Sequence, residues 1–499
     1  MAFWDRFTKQ KKKSKRHFTG TNGGRLFNDW KASSSSPDSE LINLGTMRDR
    51  TRDLARNNPI VQRYFQVIKQ GVVGNQQGFK LMVHSRDSDG TLDDFANDQI
   101  EYRWYNDFCT NPEVSGKYTM LDIYNMVLEG LIRDGEVFVQ LIRQREGLKL
   151  KFLEPDYLDS RLSKDLSANK QIKMGVEVDS LTDKPLGYWL TDNPYALSVP
   201  DTQLTKSTRL PADDVLHIFQ PQRFGQTRGY PYKLASTMTA IKWLQDFRLS
   251  ELVASKAAAS KMAFIRTPTG EDNVAESYLD EDGYMPAMNF EPATIDVLPH
   301  GTDIEFANWN HPNTSVESFD KAMIRTIASG LGVSYASLSN DLTQTSYSSA
   351  RVGLLDERDG FKQLQTFLIN HFAKPVYHAW LEQEMTTGNI NLPIDKYEKF
   401  ANPCEFTSRG YHSVDPLKEM QSNQLGLSNG LLTIQDVLNQ SGKELSQHFS
   451  ELDAQQALAD KFNIELAYEP YGTKFNQQTG EPFNEDENQE PSQEINNNE

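Results

Sequence analysis

Residues 341–351 read DLTQTSYSSAR: six hydroxyl side chains in eleven positions, one charge at each end, and a helical pattern on both sides. Hydroxyls exchange hydrogen bonds with water and with phosphate oxygen at little cost, and they make a weak anchor for anything strongly charged. A stretch of this kind can touch a ligand without gripping it, and it also has the composition of a plain surface turn. Ahead of it, Thr314, Ser315, Val316 and Glu317 form a capping box, and Val316, Phe319, Met323 and Ile327 step along one helical face. Behind it, a long helix starts near Ser349 with Leu354, Phe361, Leu364, Leu368 and Phe372 on one face, and Pro375 should kink or end it.

Further upstream, residues 232–263 are helical in pattern with neither Pro nor Gly after position 232, and Leu234, Met238, Ile241 and Leu252 mark an apolar line. That is a rod of about 45 Å at the α-helical rise. Residues 264–313 interrupt the helical signal with Pro268, Pro286, Pro292, Pro299 and Pro312 and with strand-like runs such as 294–298, so a small lobe is expected between two long helices. The region before the rod reads as α+β. Asn58 and Pro59 start a helix carrying Val61, Tyr64 and Ile68; a second holds Phe95, Tyr102, Trp104 and Tyr105; a third begins at Thr119 with Met120, Ile123, Val127 and Leu131 inward. From Glu136 the period changes to that of a strand, and Arg145, Glu146 and Gly147 turn it back into a hairpin. Further strands are expected at 174–178, 187–191 and 215–219.

The 499 residues leave room for roughly three domain-sized units. Their 69 acidic and 52 basic side chains give a net charge of -17, which argues against a protein whose main task is to clamp DNA. The charge is uneven: the first eighteen residues carry seven basic side chains against Asp5, while 475–499 holds seven acids and no base. Both ends read as solvated tails, the basic one with the added option of docking on an acidic surface or nucleic acid. Residues 20–46 are rich in Gly, Ser and polar side chains, and ordered structure is expected from near Thr46. Cys109 and Cys404 are the only cysteines, which fits a reducing compartment, and neither an export signal nor a membrane span is expected.

The sequence offers little catalytic chemistry. It contains no GxxxxGK[ST], HExxH or GxSxG pattern. Glu154, Asp156 and Asp159 could hold Mg²⁺ in principle, but they follow a strand where Pro155 and Asp make a turn. Asp213, Asp214 and His217 are the next group, and His217 shares a strand face with Val215 and Phe219, as a satisfied core or interface histidine does. His371 and His378 flank Pro375 without a third ligand, and residues 225–229 (GQTRG) read as a tight connector. No catalytic residue, cofactor or metal site is expected.

Seven segments now stand in order: LARNNPIVQRY with VVG (54–74), DGEVFV (134–139), LEPDYLD (153–159), DVLHIFQPQRFGQTRGYP (214–231), IASGLGVSYASLSNDLTQTSYSSAR (327–351), PVYHAWLEQEMTTGNI (375–390) and VDPLKE (414–419). Through them the chain resembles the lambda-type portal proteins of tailed bacteriophages, from about residue 48 to about residue 433. The resemblance implies an α+β portal fold assembled as a ring of about twelve subunits. It implies a wing at 46–231, stem helices at 232–263 and 314–337 with a clip at 264–313, and a channel loop at 338–349. A wing helix and return at 350–429 and a helical crown at 430–470 complete the layout, while the basic N-terminal arm at 1–45 and the acidic tail at 471–499, both read from composition, fall outside the shared pattern. The channel-lining residues implied are Thr343, Gln344, Thr345, Ser346, Tyr347, Ser348 and Ser349.

By the same resemblance the ring stands at one vertex of the capsid in the virion as head–tail connector, assembled in the host cytoplasm. Double-stranded DNA enters through it during packaging and leaves through it at ejection. The partners implied are further copies of the chain, the terminase large subunit, the major capsid and scaffolding proteins and the head–tail adaptors, with no membrane. The alternatives are another virion ring component, such as a head–tail adaptor, or a packaging enzyme.

Overall fold

The computed structural model describes residues 35–75, 78–167, 169–191, 207–259, 263–266, 303–306, 315–343, 346–411, 416–440, 443, 445–462 and 464. Contacts divide the chain into two units, 1–409 and 410–499. Most of the expected arm, clip and acidic tail, together with Gln344 and Thr345, lies outside the described residues.

The first unit opens earlier than composition suggested. A 3-10 turn, Ser39–Leu41, leads into α1 (Leu44–Asn57), because Leu41 and Leu44 are apolar anchors buried against Met174. Asp38 accepts the amide and hydroxyl of Thr227, both at 2.9 Å, which docks this segment on the 223–229 connector. Next, α2 (Pro59–Val72) starts as expected: Asn58 caps the amides of Ile60 and Val61, and Pro59 occupies the first turn, where no amide is missed.

After β1 (Lys80–Val83), α3 (Asp94–Arg103) passes into a π-helical turn over Trp104–Phe108. Phe95 and Tyr102 are exposed here, while Trp104 is buried. Thr119 and Asp122 form a reciprocal capping box at the head of α4 (Met120–Arg133), whose Met120, Ile123, Val127 and Leu131 are buried.

The hairpin follows, β2 (Glu136–Gln144) and β3 (Gly147–Leu153). Then come β4 (Lys164–Ser167), β5 (Lys170–Lys173), β6 (Val176–Asp179), β7 (Pro185–Thr191), β8 (Ser207–Pro211) and β9 (Val215–Phe219). These build a three-stranded sheet ordered β3-β2-β9 and a five-stranded antiparallel sheet in sequence order β4 to β8. Phe138 and Val215 of the first pack against Val176, Val178 and Tyr188 of the second in a shared core.

The rod is α5 (Tyr232–Ala259), somewhat shorter than 232–263, since Ala263 already belongs to strand β10 (Ala263–Arg266). β10 pairs antiparallel with β11 (Asp303–Phe306), and α6 (Ser315–Leu331) returns along α5. Arg248 grips Asp320 with two hydrogen bonds of 2.6 and 2.8 Å, and Phe247 packs on Phe319. A short α7 (Tyr335–Ser339) then precedes α8 (Tyr347–Leu368).

A second π-helical turn, Ile369–Ala373, separates α8 from α9 (Lys374–Thr387). Pro375 has no amide and its ring crowds the carbonyl four residues back, so the wider turn just ahead of it absorbs the conflict. α10 (Tyr397–Ala401) and β12 (Cys404–Thr407), paired with β1, close the unit. Trp104 meets Tyr377, Trp380 and Phe406 edge-on, joining the α3 turn to α9 and β12.

The second unit holds α11 (Pro416–Ser428), α12 (Ile434–Gln440) and α13 (Leu445–Lys461). It begins at residue 410, so α11 groups with α12 and α13 in one unit. No described helix is long and apolar enough to cross a membrane.

Candidate functional site

The hydroxyl-rich stretch sits where α6, α7 and α8 converge, and much of its polarity serves to build the turn. Ser334 caps α7 by accepting the Ser337 amide at 3.1 Å, and Asn340 ends that helix in the left-handed region at φ 56°. Asn tolerates that conformation because its short polar side chain can bond locally. Asp341 then accepts the hydroxyl and amide of Thr343 at 2.6 and 3.1 Å and the Tyr335 hydroxyl at 3.0 Å, with Lys321 at 3.6 Å. The Thr343 bonds, then Tyr335 and Lys321, lower its carboxyl to about 2.

Ser346 is the N-cap of α8: its Oγ accepts the Ser349 amide at 3.3 Å and shares a 2.8 Å hydrogen bond with the Ser349 hydroxyl. The loop expected over 338–349 is therefore narrower. Leu338 and Ser339 belong to α7, and α8 starts at Tyr347 because Ser346 supplies the cap. Thr343, Ser346 and Ser349 are exposed; Ser348 and Tyr347 stand in the first turn of α8.

Beneath the turn, the buried Glu357 of α8 accepts hydrogen bonds from Ser334 and Ser337 at 3.2 and 2.8 Å, tying α8 to α7. Burial raises its carboxyl even against those donors, and its Oε1 has no hydrogen-bond partner among the described residues. Arg63 of α2 donates to the Ser337 carbonyl at 2.9 Å. These elements border a cavity of about 450 Å³ lined by Arg63, Ser334, Tyr335, Leu342 and Ser349 among others. Arg325 of α6 lies over the Tyr335 ring, 5.2 Å from its centroid.

The other candidates are structural. Asp156 pairs with Arg52 at 2.5 Å, Asp159 with Arg161 at 3.3 Å and Asp214 with Arg143 at 2.7 Å. His371 packs on Phe367, and His378 lies 3.8 Å from the Cys404 sulfur. Among the described residues no group of His, Cys, Asp or Glu could hold a metal ion.

His217 belongs to a buried ionic junction that no sequence pattern announced. Glu136 accepts Arg48 at 2.5 Å, Arg228 at 2.8 and 2.6 Å, the Gly229 amide at 2.7 Å, and meets His217 Nε2 at 3.0 Å. Burial by itself would raise this carboxyl, but Arg228, Arg48 and His217 hold it well below the usual range. Burial lowers His217, and Glu136 offsets that only in part. Arg228 also donates to the carbonyls of Met174, Pro155 and Leu158, so the β2–β3 hairpin, α1 and the connector into α5 meet on one carboxylate. The approach is tight: a Cβ on Gly135 would lie 2.1 Å from the Tyr230 carbonyl carbon, and one on Gly229 2.3 Å from the Gly135 oxygen. The GQTRG run is thus a connector, as expected, with its arginine as the buried centre.

Residues 23–365 match the family model for phage portal proteins of the lambda family. The chain belongs to this family. Its relatives include a probable portal protein of Halomonas phage phiHAP-1, 28% identical over 86% of this chain and 84% of the relative. Portal protein B of Escherichia phage lambda is 23% identical over 87% of this chain and 88% of its own length. Solved structures that resemble it include the neck of a native gene transfer agent particle computed with C12 symmetry. That likeness has a TM-score of 0.41 and 13% identity, covering 79% of this chain and 94% of the other. A portal protein of the HK97 family from Corynebacterium diphtheriae gives a TM-score of 0.33 at 12% identity, over 74% and 98% of the two chains. The chain is thus a virion component of the capsid vertex, and its family is structural, not enzymatic.

Proposed function

We propose that the chain assembles into a ring, with about twelve copies around a central channel, that this channel conducts double-stranded DNA, and that Thr343–Ser349 lines its narrow part. The observation that supports the loop's role is its placement. It follows α6, the returning arm of an antiparallel pair whose far end carries β10 and β11, and it exposes hydroxyls where a strong phosphate anchor would trap a sliding duplex. In this reading α5 and α6 form the stem and the segment between them the clip. The clip engages the terminase large subunit during packaging and the head–tail adaptors afterwards. The wing meets the major capsid and scaffolding proteins, α11 to α13 form the crown, assembly takes place in the host cytoplasm, and the genome leaves by the same channel at ejection.

The test adds charge to the loop while keeping its framework. Because Ser346 caps α8 by bonding Ser349, the variants are Gln344→Lys and Ser348→Lys, which leave both of those serines and the Asp341–Thr343 pair unchanged. End-on electron microscopy should show rings with an unchanged central hole, and packaging by reconstituted heads should slow or stall. Rings that package at the parent rate would remove the loop from the mechanism.

A further inference from the structure

The cations along α5 and α6 are not equivalent. Lys321 is held by Glu317 at 2.7 Å, Arg248 by Asp320 at 2.6 Å and Lys242 by Asp246 at 2.7 Å. Arg325, exposed on α6, has no carboxylate partner among the described residues. Instead its guanidinium lies over Tyr335. That ring is itself fixed, because its hydroxyl donates to Asp341, and Asp341 is already engaged by Thr343 and Lys321. The chain of interactions from Asp341 through Tyr335 holds a guanidinium in place with no acid assigned to it, in a molecule with a surplus of 17 negative charges. A guanidinium held over an aromatic face keeps its N–H groups available in its own plane, a fork that fits two phosphate oxygens.

We propose that Arg325, laid on Tyr335 at the foot of the loop, is a phosphate-contacting residue that touches the DNA backbone as the duplex passes. The proposal rests on the reading of the loop as channel wall. It adds a division of labour: hydroxyls give a surface without fixed register, and one oriented arginine per subunit gives a brief, salt-sensitive hold that opposes slipping. The alternative occupant is a carboxylate of a second copy, and the test separates the two.

The experiment compares Arg325→Gln, Arg325→Lys and Tyr335→Leu in assembled rings and in packaging-competent heads, with linear duplex DNA as the probe. Ring symmetry is read by electron microscopy, and slipping and retention of DNA are read across a salt series. Arg325→Gln rings should keep their symmetry, slip more often, and show a shallower salt dependence, by about one unit in the log–log slope for each phosphate no longer neutralised. Tyr335→Leu should move in the same direction with the charge retained, and Arg325→Lys should lie between parent and Gln. Parent-like slipping and salt slope in Arg325→Gln would overturn the proposal, and so would failure of that variant to form rings, which would assign Arg325 to a second copy. If the loop lysines slow packaging while Arg325→Gln is silent, only the Arg325 assignment falls. If both are silent, the channel reading falls with it.

Discussion

Glu136 shows how much one side chain can carry. It is fully buried and answers two arginines and a histidine, so removing its charge takes from Arg48 and Arg228 the buried carboxylate they share. Glu136→Gln should destabilise the subunit by about 3–5 kcal/mol, the range for breaking a buried ion pair, measured by denaturant unfolding of dissociated chains. The pH response follows from the two shifts. A carboxyl held below its unfolded value stabilises fully above that value and loses the contribution as pH falls through the folded one. His217, lowered by burial, must be charged in the unfolded chain first, so its contribution also fades as pH falls below about 6.5. Acid should therefore weaken the parent more steeply than Glu136→Gln. Glu357 has the opposite sign: its raised carboxyl favours the folded state at low pH and disfavours it once the unfolded chain ionises. Glu357→Gln keeps an acceptor for Ser334 and Ser337, so its Tm at neutral pH should equal or exceed the parent's; a lower Tm would show that the charge itself is needed.

Among elements, the crossing of α2 and α8 is tightly constrained. A Cβ on Gly71 would stand 2.3 Å from Phe361, and Gln365 of α8 donates to the Val72 carbonyl at 3.0 Å. Gly71→Ala should cost about 1–3 kcal/mol through overpacking, and Phe361→Leu should recover part of it; additive losses in the double variant would place the clash elsewhere. Helix starts were well read from sequence, because a cap and its target lie within four residues: Asn58 and Thr119 do what their positions implied. Ser346 could have been read by the same rule, since its cap partner Ser349 is three residues on. The π-helical turns were not legible, because they depend on packing around Trp104 and Phe372 and, for the second, on how the strain at Pro375 is shared.

For the whole molecule, charge and symmetry set the terms. Copies of a chain with net charge -17 repel one another when packed around an axis, so cations and apolar contacts must offset that field. The fraction of rings seen by native mass spectrometry should rise with ionic strength as screening shortens the repulsion, and monomers at every salt and concentration would sink the ring reading. The α+β region, the two long helices with a segment between them, the hydroxyl-rich turn and the family were all readable from the chain. Each is written in local periodicity, caps or an ordered set of short segments, and needs no knowledge of what meets what. The Glu136 junction and the Arg325 stack on Tyr335 were not. Glu136 lies 88 residues from Arg48 and 92 from Arg228, and no spacing rule pairs groups so far apart. Only closure of the sheets, which removes water from all three at once, makes that one carboxylate the place where they must meet.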